Sequence, residues 1–200
     1  MGARVIEDIE PRYEFRVWGE DLTELRERLA RRATPVKAKS KEIYLVSKTT
    51  DNCNAKIRGN FLDIKVLVAE YQRLEQWKPV LRAAFPLDRS IITTQVFFTL
   101  EIRPPQLSRA QYDIGEFINE VIAAEATIAI VELFKNRLKF SFETYQAEFT
   151  VVLINDVEHH TVAVESADPD KLLRLIHEIG CDGAVNVSYV RYIKRVLAIK

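Results

Sequence analysis

From Arg12 to Trp18 charged and apolar residues alternate, with Arg12, Glu14 and Arg16 on one face and Tyr13, Phe15 and Val17 on the other. A period of two is that of a half-buried strand. A second strand is predicted near Glu42 to Ser47. Asn52 to Arg58 and Phe61 to Leu67 then flank Gly59-Asn60, a pair suited to a two-residue hairpin turn. Such a loop sets Arg58 opposite Phe61, Lys56 opposite Asp63 and Asn54 opposite Lys65, which gathers the charged members on one face. Cys53, Ala55, Ile57, Leu62, Ile64 and Val66 share the other. Turn chemistry and polarity agree here independently.

Helical signals punctuate these strands. Asp21 with Glu24 three residues on reads as an acidic capping box before the stripe Leu22, Leu25 and Leu29. Glu75 to Phe85 reads as a helix, Ile91 to Arg103 as a long strand stopped by Pro104-Pro105, and Ser108 with Gln111 as the opening of another helix. Ile128 to Phe142 fits either one long strand or a hairpin turning at Lys135-Asn136. Gln146 to Ile154 and His159 to Glu165 form an antiparallel pair around Asn155-Asp156. Asp168-Pro169 opens a helix that Gly180 ends. Ser188 caps a last one, Tyr189 to Ile199, whose Ile193, Val196 and Leu197 are expected to dock on the body of the fold. With no repeat, low-complexity segment or linker, residues 1–200 are expected to form one α+β domain built mainly on antiparallel sheet.

Composition narrows the class. Of 200 residues, 48% are hydrophobic and 29% charged, which argues against disorder and fibrous structure. The 29 basic residues balance 29 acidic ones, so the total charge names no partner, and only its local placement can. Cys53 and Cys181 stand apart from any metal-ligand spacing. Residues 1–10 carry no signal-peptide pattern, and the apolar run Val121 to Val131 is too short for a bilayer. A cytoplasmic protein with no membrane partner is the expectation.

The chemistry lies in the cations. Arg12 and Arg16, then Lys56, Arg58 and Lys65, then Lys135, Arg137 and Lys139 occupy alternate positions in three segments. On an open sheet this is a solvated face. In a closed barrel whose apolar faces are covered by helices, the same cations must point inward, where they persist only with anionic partners.

The order of these segments resembles the CYTH family of triphosphate tunnel enzymes. Arg12-Tyr-Glu14-Phe-Arg16 is similar to the family's opening acid-x-acid-x-lysine strand, Glu42-Ile-Tyr44 to its second strand, Lys56-Ile-Arg58 to its paired cations and Ile64-Lys65 to its following lysine strand. Lys135-Asn-Arg137 resembles the second cation pair, Asp156 the aspartate turn, and Ala163-Val-Glu165 a damaged second pair of acids. The resemblance implies an eight-stranded antiparallel tunnel, closed or nearly closed, with helices packed outside. It also implies a triphosphate-containing small molecule as partner, held by Arg16, Lys56, Arg58, Lys65, Lys135 and Arg137. Glu14 and Glu165 would be the catalytic carboxylates. Together with Glu148 and Asp156 they would hold Mg2+ or Mn2+, which polarises the phosphoryl group. The implied activity is a metal-dependent phosphohydrolase of tripolyphosphate or an organic triphosphate. Alternatives are an adenylate cyclase of the same family, or a non-catalytic polyphosphate or nucleotide sensor. Each acidic pair has lost its first member, to Arg12 and to Ala163, which puts catalysis in question.

Other candidates carry less. His159 and His160 are neighbours and point to opposite faces of a strand, while His177 lies on the polar side of its helix. Trp18, Trp77 and the tyrosines are scattered as core or rim aromatics are. A basic sheet face with tyrosines nearby also suits nucleic acid, against which the neutral total charge argues mildly.

Overall fold

The computed structural model describes residues 9–199. Its strands, in chain order, are β1 (Arg12–Gly19), β2 (Val36–Ser47), β3 (Cys53–Arg58), β4 (Phe61–Tyr71), β5 (Leu74–Ala84), β6 (Leu87–Asp88), β7 (Gln111–Tyr112), β8 (Ile128–Ser141), β9 (Gln146–Ile154) and β10 (Val157–Ser166). Eight close into an antiparallel barrel in the order β1, β10, β9, β8, β2, β3, β4, β5, while β6 and β7 pair separately. The expected α+β barrel is therefore the observed fold.

Alternation decides which side chains enter the barrel. The β3–β4 hairpin has the predicted register, with Arg58 opposite Phe61, Lys56 opposite Asp63 and Asn54 opposite Lys65. Gly59 supplies the left-handed φ of 59° that its turn needs. The apolar partners Ala55, Ile57, Leu62 and Ile64 face outward into a core shared with helical residues Ile92, Val96, Phe97, Phe117 and Val121. On the opposite wall, Phe15, Val162, Val164 and Phe149 are covered by Leu29 of the helix Thr23–Ala30 and by Leu172, Leu175 and Ile176 of the helix Pro169–Glu178. Asp168 caps the latter by accepting from the Asp170 and Lys171 N–H groups. Both outer walls are thus dry, so the polar faces have only the interior left.

A third apolar cluster sits inside the barrel. Tyr44, Val46, Val131, Leu133, Val152 and Ile154 meet Tyr189, Val190 and Ile193 of the C-terminal helix Tyr189–Val196, which plugs that end. Closure between β1 and β5 is short: only Arg12, Tyr13 and Glu14 of β1 pair with β5. Past that seam Asn186 splices the gap, accepting from the Arg16 N–H and donating to the Glu14 and Arg73 carbonyls.

Several expectations are corrected. The segment expected as a helix over residues 75–85 lies in strand β5 up to Ala84; Pro79, which would break a helix interior, sits opposite Lys65 beside an irregularity in the pairing. Residues 89–99 are helical, with α turns flanking the π segment Ile92–Val96, where a strand was expected from their β-branched content. Ile92, Val96, Phe97 and Leu100 bury one face at helical spacing. Thr93 and Thr94 return their hydroxyls to carbonyls one turn back. The next helix begins at the Asp113–Glu116 capping box, not at Ser108. Of the two readings left open for residues 128–142, the single strand is the one observed, Ile128–Ser141. Asp21 accepts from the Thr23 N–H without making the capping box. Ser188 occupies the N-cap position but makes no side-chain cap bond, and Val196 is exposed instead of docked.

The alternation makes opposite demands on adjacent residues. Ile64→Ala is expected to destabilise the fold by about 2–5 kcal/mol, because Ile64 is fully buried. Lys65→Ala should leave stability within about 0.5 kcal/mol, or raise it. Urea denaturation of the two variants checks this, and equal losses would contradict the register.

Candidate functional site

The inward faces enclose a cavity of about 380 Å3, within the size range of small-molecule sites. Arg16 enters it from β1, Lys56 and Arg58 from β3, Lys65 from β4, Arg82 from β5, and Lys135, Arg137 and Lys139 from β8. Carboxylates on its wall are Glu14, Asp63, Glu148 and Glu165, and Ser188 and Tyr189 form its floor. The alternation read from the sequence thus brings nine of its ten candidate residues to one space.

At the centre stands Glu42, a residue sequence reasoning placed on the second strand but not in the site. It has 0% exposure. Its carboxylate accepts from Lys135 Nζ at 3.0 Å, from Ser40 Oγ at 3.0 Å and from Arg137 through a short contact. Lys56 Nζ lies 3.3 Å away and Arg58 Nη1 4.0 Å away. Burial alone would raise the Glu42 pKa, but Lys56, Lys135 and Arg137 outweigh it and hold the carboxyl well below the usual range. Lys135 is pulled well down by burial and by repulsion from Lys56, against the attraction of Glu42. It also donates to the Tyr44 hydroxyl at 2.8 Å and lies 3.5 Å from the Tyr189 ring centroid. The signal that could have found Glu42 was its register opposite Arg58.

A second cluster occupies the β1–β10–β9 wall. Glu14 pairs with Glu165, Arg16 with Ala163, and Ala163 with Glu148 across the strands. Because Ala163 is small, the Arg16 guanidinium crosses over it, reaching Glu14 at 3.0 Å and Glu148 at 3.4 Å. Burial raises the Glu14 and Glu148 pKa values, but Arg16 heads the cations that overcome it, and both carboxyls end below their ordinary value. Arg137 also approaches Glu148, at 3.6 Å, and Arg12 reaches Glu165 at 3.3 Å. Asp63, not foreseen as a site residue, pairs with Arg58 and Arg82. Lys65 and Lys139 make no ion pair among the described residues.

Asp156 is the candidate the structure sets apart. It lies in the β9–β10 turn with a left-handed φ of 62°, beyond the plugged end. Nine residue steps along β10 separate it from Glu165, roughly 30 Å of strand.

The donor set does not fit Mg2+ or Mn2+. Such ions take about six oxygen ligands, yet Glu14, Glu148 and Glu165 are each engaged by an arginine, and Ala163 offers no oxygen. Among the described residues no three Asp, Glu, His or Cys side chains come together as a ligand set.

The closed eight-stranded barrel has the fold that the CYTH resemblance implies, and solved structures share it. Over 92% of this chain and 99% of that one, it is similar to the PH1819 protein of Pyrococcus horikoshii, with TM-score 0.51 and 13% identity. A conserved hypothetical protein of Pyrococcus furiosus aligns over 90% and 98%, with TM-score 0.53 and 14% identity. The proposed adenylyl cyclase HpAC1 of Hippeastrum, which has a dominant triphosphatase activity, aligns over 94% and 97%, with TM-score 0.51 and 10% identity. At these identities the likeness is one of fold alone. No protein-family profile and no curated protein matches the sequence.

Because Glu42, Glu14 and Glu148 are held below their unfolded pKa values, their stabilisation is present at neutral pH. It is lost as pH falls below about 4 towards the folded values. Glu42→Gln is expected to cost about 3–5 kcal/mol at pH 7, by leaving buried cations unpaired, and to flatten the acid limb of stability. Denaturation at pH 7 and at pH values below the carboxylate range checks both effects.

Proposed function

We propose that this chain binds a linear polyphosphate, either tripolyphosphate or the triphosphate group of an organic molecule, inside the barrel. The observation that carries this reading is the charge of the closed interior: eight basic side chains face the four carboxylates of the wall and the buried Glu42. Buried cations need anions, and a polyphosphate supplies several in a row. The ladder Lys139, Arg137, Lys135 descends β8 in steps of roughly 7 Å, and Lys56, Arg58 and Lys65 line β3 and β4 on the far side of β2, so charge is offered along the depth of the cavity and not at one point.

A nucleic-acid strand fits this geometry poorly. The cations lie inside the barrel, and the C-terminal helix closes one end. The described residues include no helix long and apolar enough to cross a membrane.

Arg137→Ala or Arg58→Ala is expected to weaken tripolyphosphate binding by at least roughly tenfold, about 1.4 kcal/mol, while Arg174→Ala, on an exposed helix face, leaves it unchanged. Calorimetric titration decides this. Equal losses at all three positions would mean diffuse attraction and no site.

Turnover is a separate matter, because neither acidic wall retains a full pair of carboxylates. An assay of inorganic phosphate and cyclic AMP, with tripolyphosphate or ATP and either Mg2+ or Mn2+, is expected to show at most slow phosphate release and no cyclic AMP. Fast metal-dependent release would restore the hydrolase reading.

A further inference from the structure

We infer that the cavity takes its polyphosphate as the free anion, without a divalent metal, and that Arg12 and Arg16 are the residues responsible. The inference rests on the polyphosphate reading above and adds the charge state of the ligand.

Arg16 is buried and held on every side. It donates to Glu14, Glu148 and the Thr161 hydroxyl, and its guanidinium stacks 4.4 Å from the Tyr189 ring centroid. Its backbone N–H is tied to Asn186. A guanidinium cannot shed its charge by deprotonation, and Glu14 heads the partners that raise its pKa further in spite of burial. For a metal to use Glu14 and Glu148, this side chain would have to leave a pocket whose floor is the plugging helix. Until it left, a dication would sit against a fixed positive charge. Arg12 repeats the arrangement at Glu165 nearer the mouth.

Ala163 completes the device. It lies between Arg16 and Glu148 in the register, so its methyl leaves the path along which Arg16 crosses. A longer acid at 163 would supply an oxygen for a metal and block that path at once. The two departures from the acidic pattern, at 12 and 163, therefore act together: one inserts a cation and the other makes room for a second.

Charge balance points the same way. The interior cations outnumber the carboxylates, with Lys65 and Lys139 free of ion pairs among the described residues. A free polyphosphate corrects that excess. The same ligand carrying a divalent cation brings less negative charge, so the chain should discriminate against metal-complexed triphosphates.

Sodium tripolyphosphate titrated into the full chain by calorimetry tests this, once in EDTA and once with excess MgCl2 at matched ionic strength. Saturable one-site binding in EDTA, weakened at least roughly tenfold by Mg2+, is the expected result. Binding that requires Mg2+, or tightens with it, would overturn the inference and leave the polyphosphate reading standing. No binding in either buffer would overturn both. In a second arm, Mn2+ is titrated without phosphate and followed by its electron paramagnetic resonance signal. The natural chain is expected to leave Mn2+ free, whereas the double variant Arg12→Glu with Ala163→Glu gains saturable binding. Saturable Mn2+ binding by the natural chain would overturn the inference, and this measurement decides it even where the variant does not fold.

Discussion

The Glu42 carboxylate accepts from Lys135, Arg137 and Ser40 with no exposure to solvent, while Lys56 and Arg58 stand within 4.0 Å. Removing ions from water costs several kcal/mol each, which a buried pair recovers only with good geometry and further hydrogen bonds. Glu42 has both, because the alternation of β2 sets it in line with Ser40 and Tyr44, and the register places β3 and β8 on its two sides. Strands on opposite flanks thus deliver cations to one anion. Without it, Lys135 would lose its one ion-pair partner among the described residues and Arg137 would keep only Glu148, so the empty barrel would be strained at its centre.

The shape of the cavity follows from how the barrel is finished. β1 meets β5 over three residues, so this seam would gape beyond Glu14 if Asn186 did not bridge the Glu14 and Arg73 carbonyls. That same segment leads into the C-terminal helix, whose Tyr189, Val190 and Ile193 enter the apolar end of the barrel. Seam and plug are one continuous piece of chain. The polar half remains open at the end where β8 and β9 carry Lys139 and Glu148, and the cavity becomes blind.

What could be read from the sequence was whatever local chemistry states twice. Gly59-Asn60 and the polarity of its flanks specify one register, and the hairpin has it. The inward cations followed from alternation once closure was assumed. Glu75 to Phe85 failed because its helix-forming residues outweighed Pro79, although a mid-segment proline was the better signal. Residues 91–99 failed because threonines and isoleucines read as strand, while the spacing of Ile92, Val96, Phe97 and Leu100 was already helical. Glu42 and Asp63 could not be identified as counter-ions from their own segments, since each takes its role from partners on another strand. The engagement of Glu14 by Arg16 depends on closure too, because the guanidinium is fixed from β9 and β10 and not from β1 alone.

Exposure of the cations falls with depth, and on the polyphosphate reading this gradient would shape how an anion is received. Side-chain exposure is 43% at Arg82 and 39% at Arg58, 18% at Lys56, 6% at Arg137 and 1% at Lys135. At the mouth, pairs such as Arg82 with Asp63 are screened by water and worth little, so these arginines can turn to an incoming phosphate at small cost. At depth the cations are already matched to Glu42 and Glu148 in a medium where attraction is strong. An anion arriving there competes with built-in carboxylates instead of finding bare charge. Those carboxylates stabilise the empty interior; on the polyphosphate reading they would also temper its affinity, leaving Lys65 and Lys139, which make no ion pair among the described residues, as the charges a ligand could claim outright.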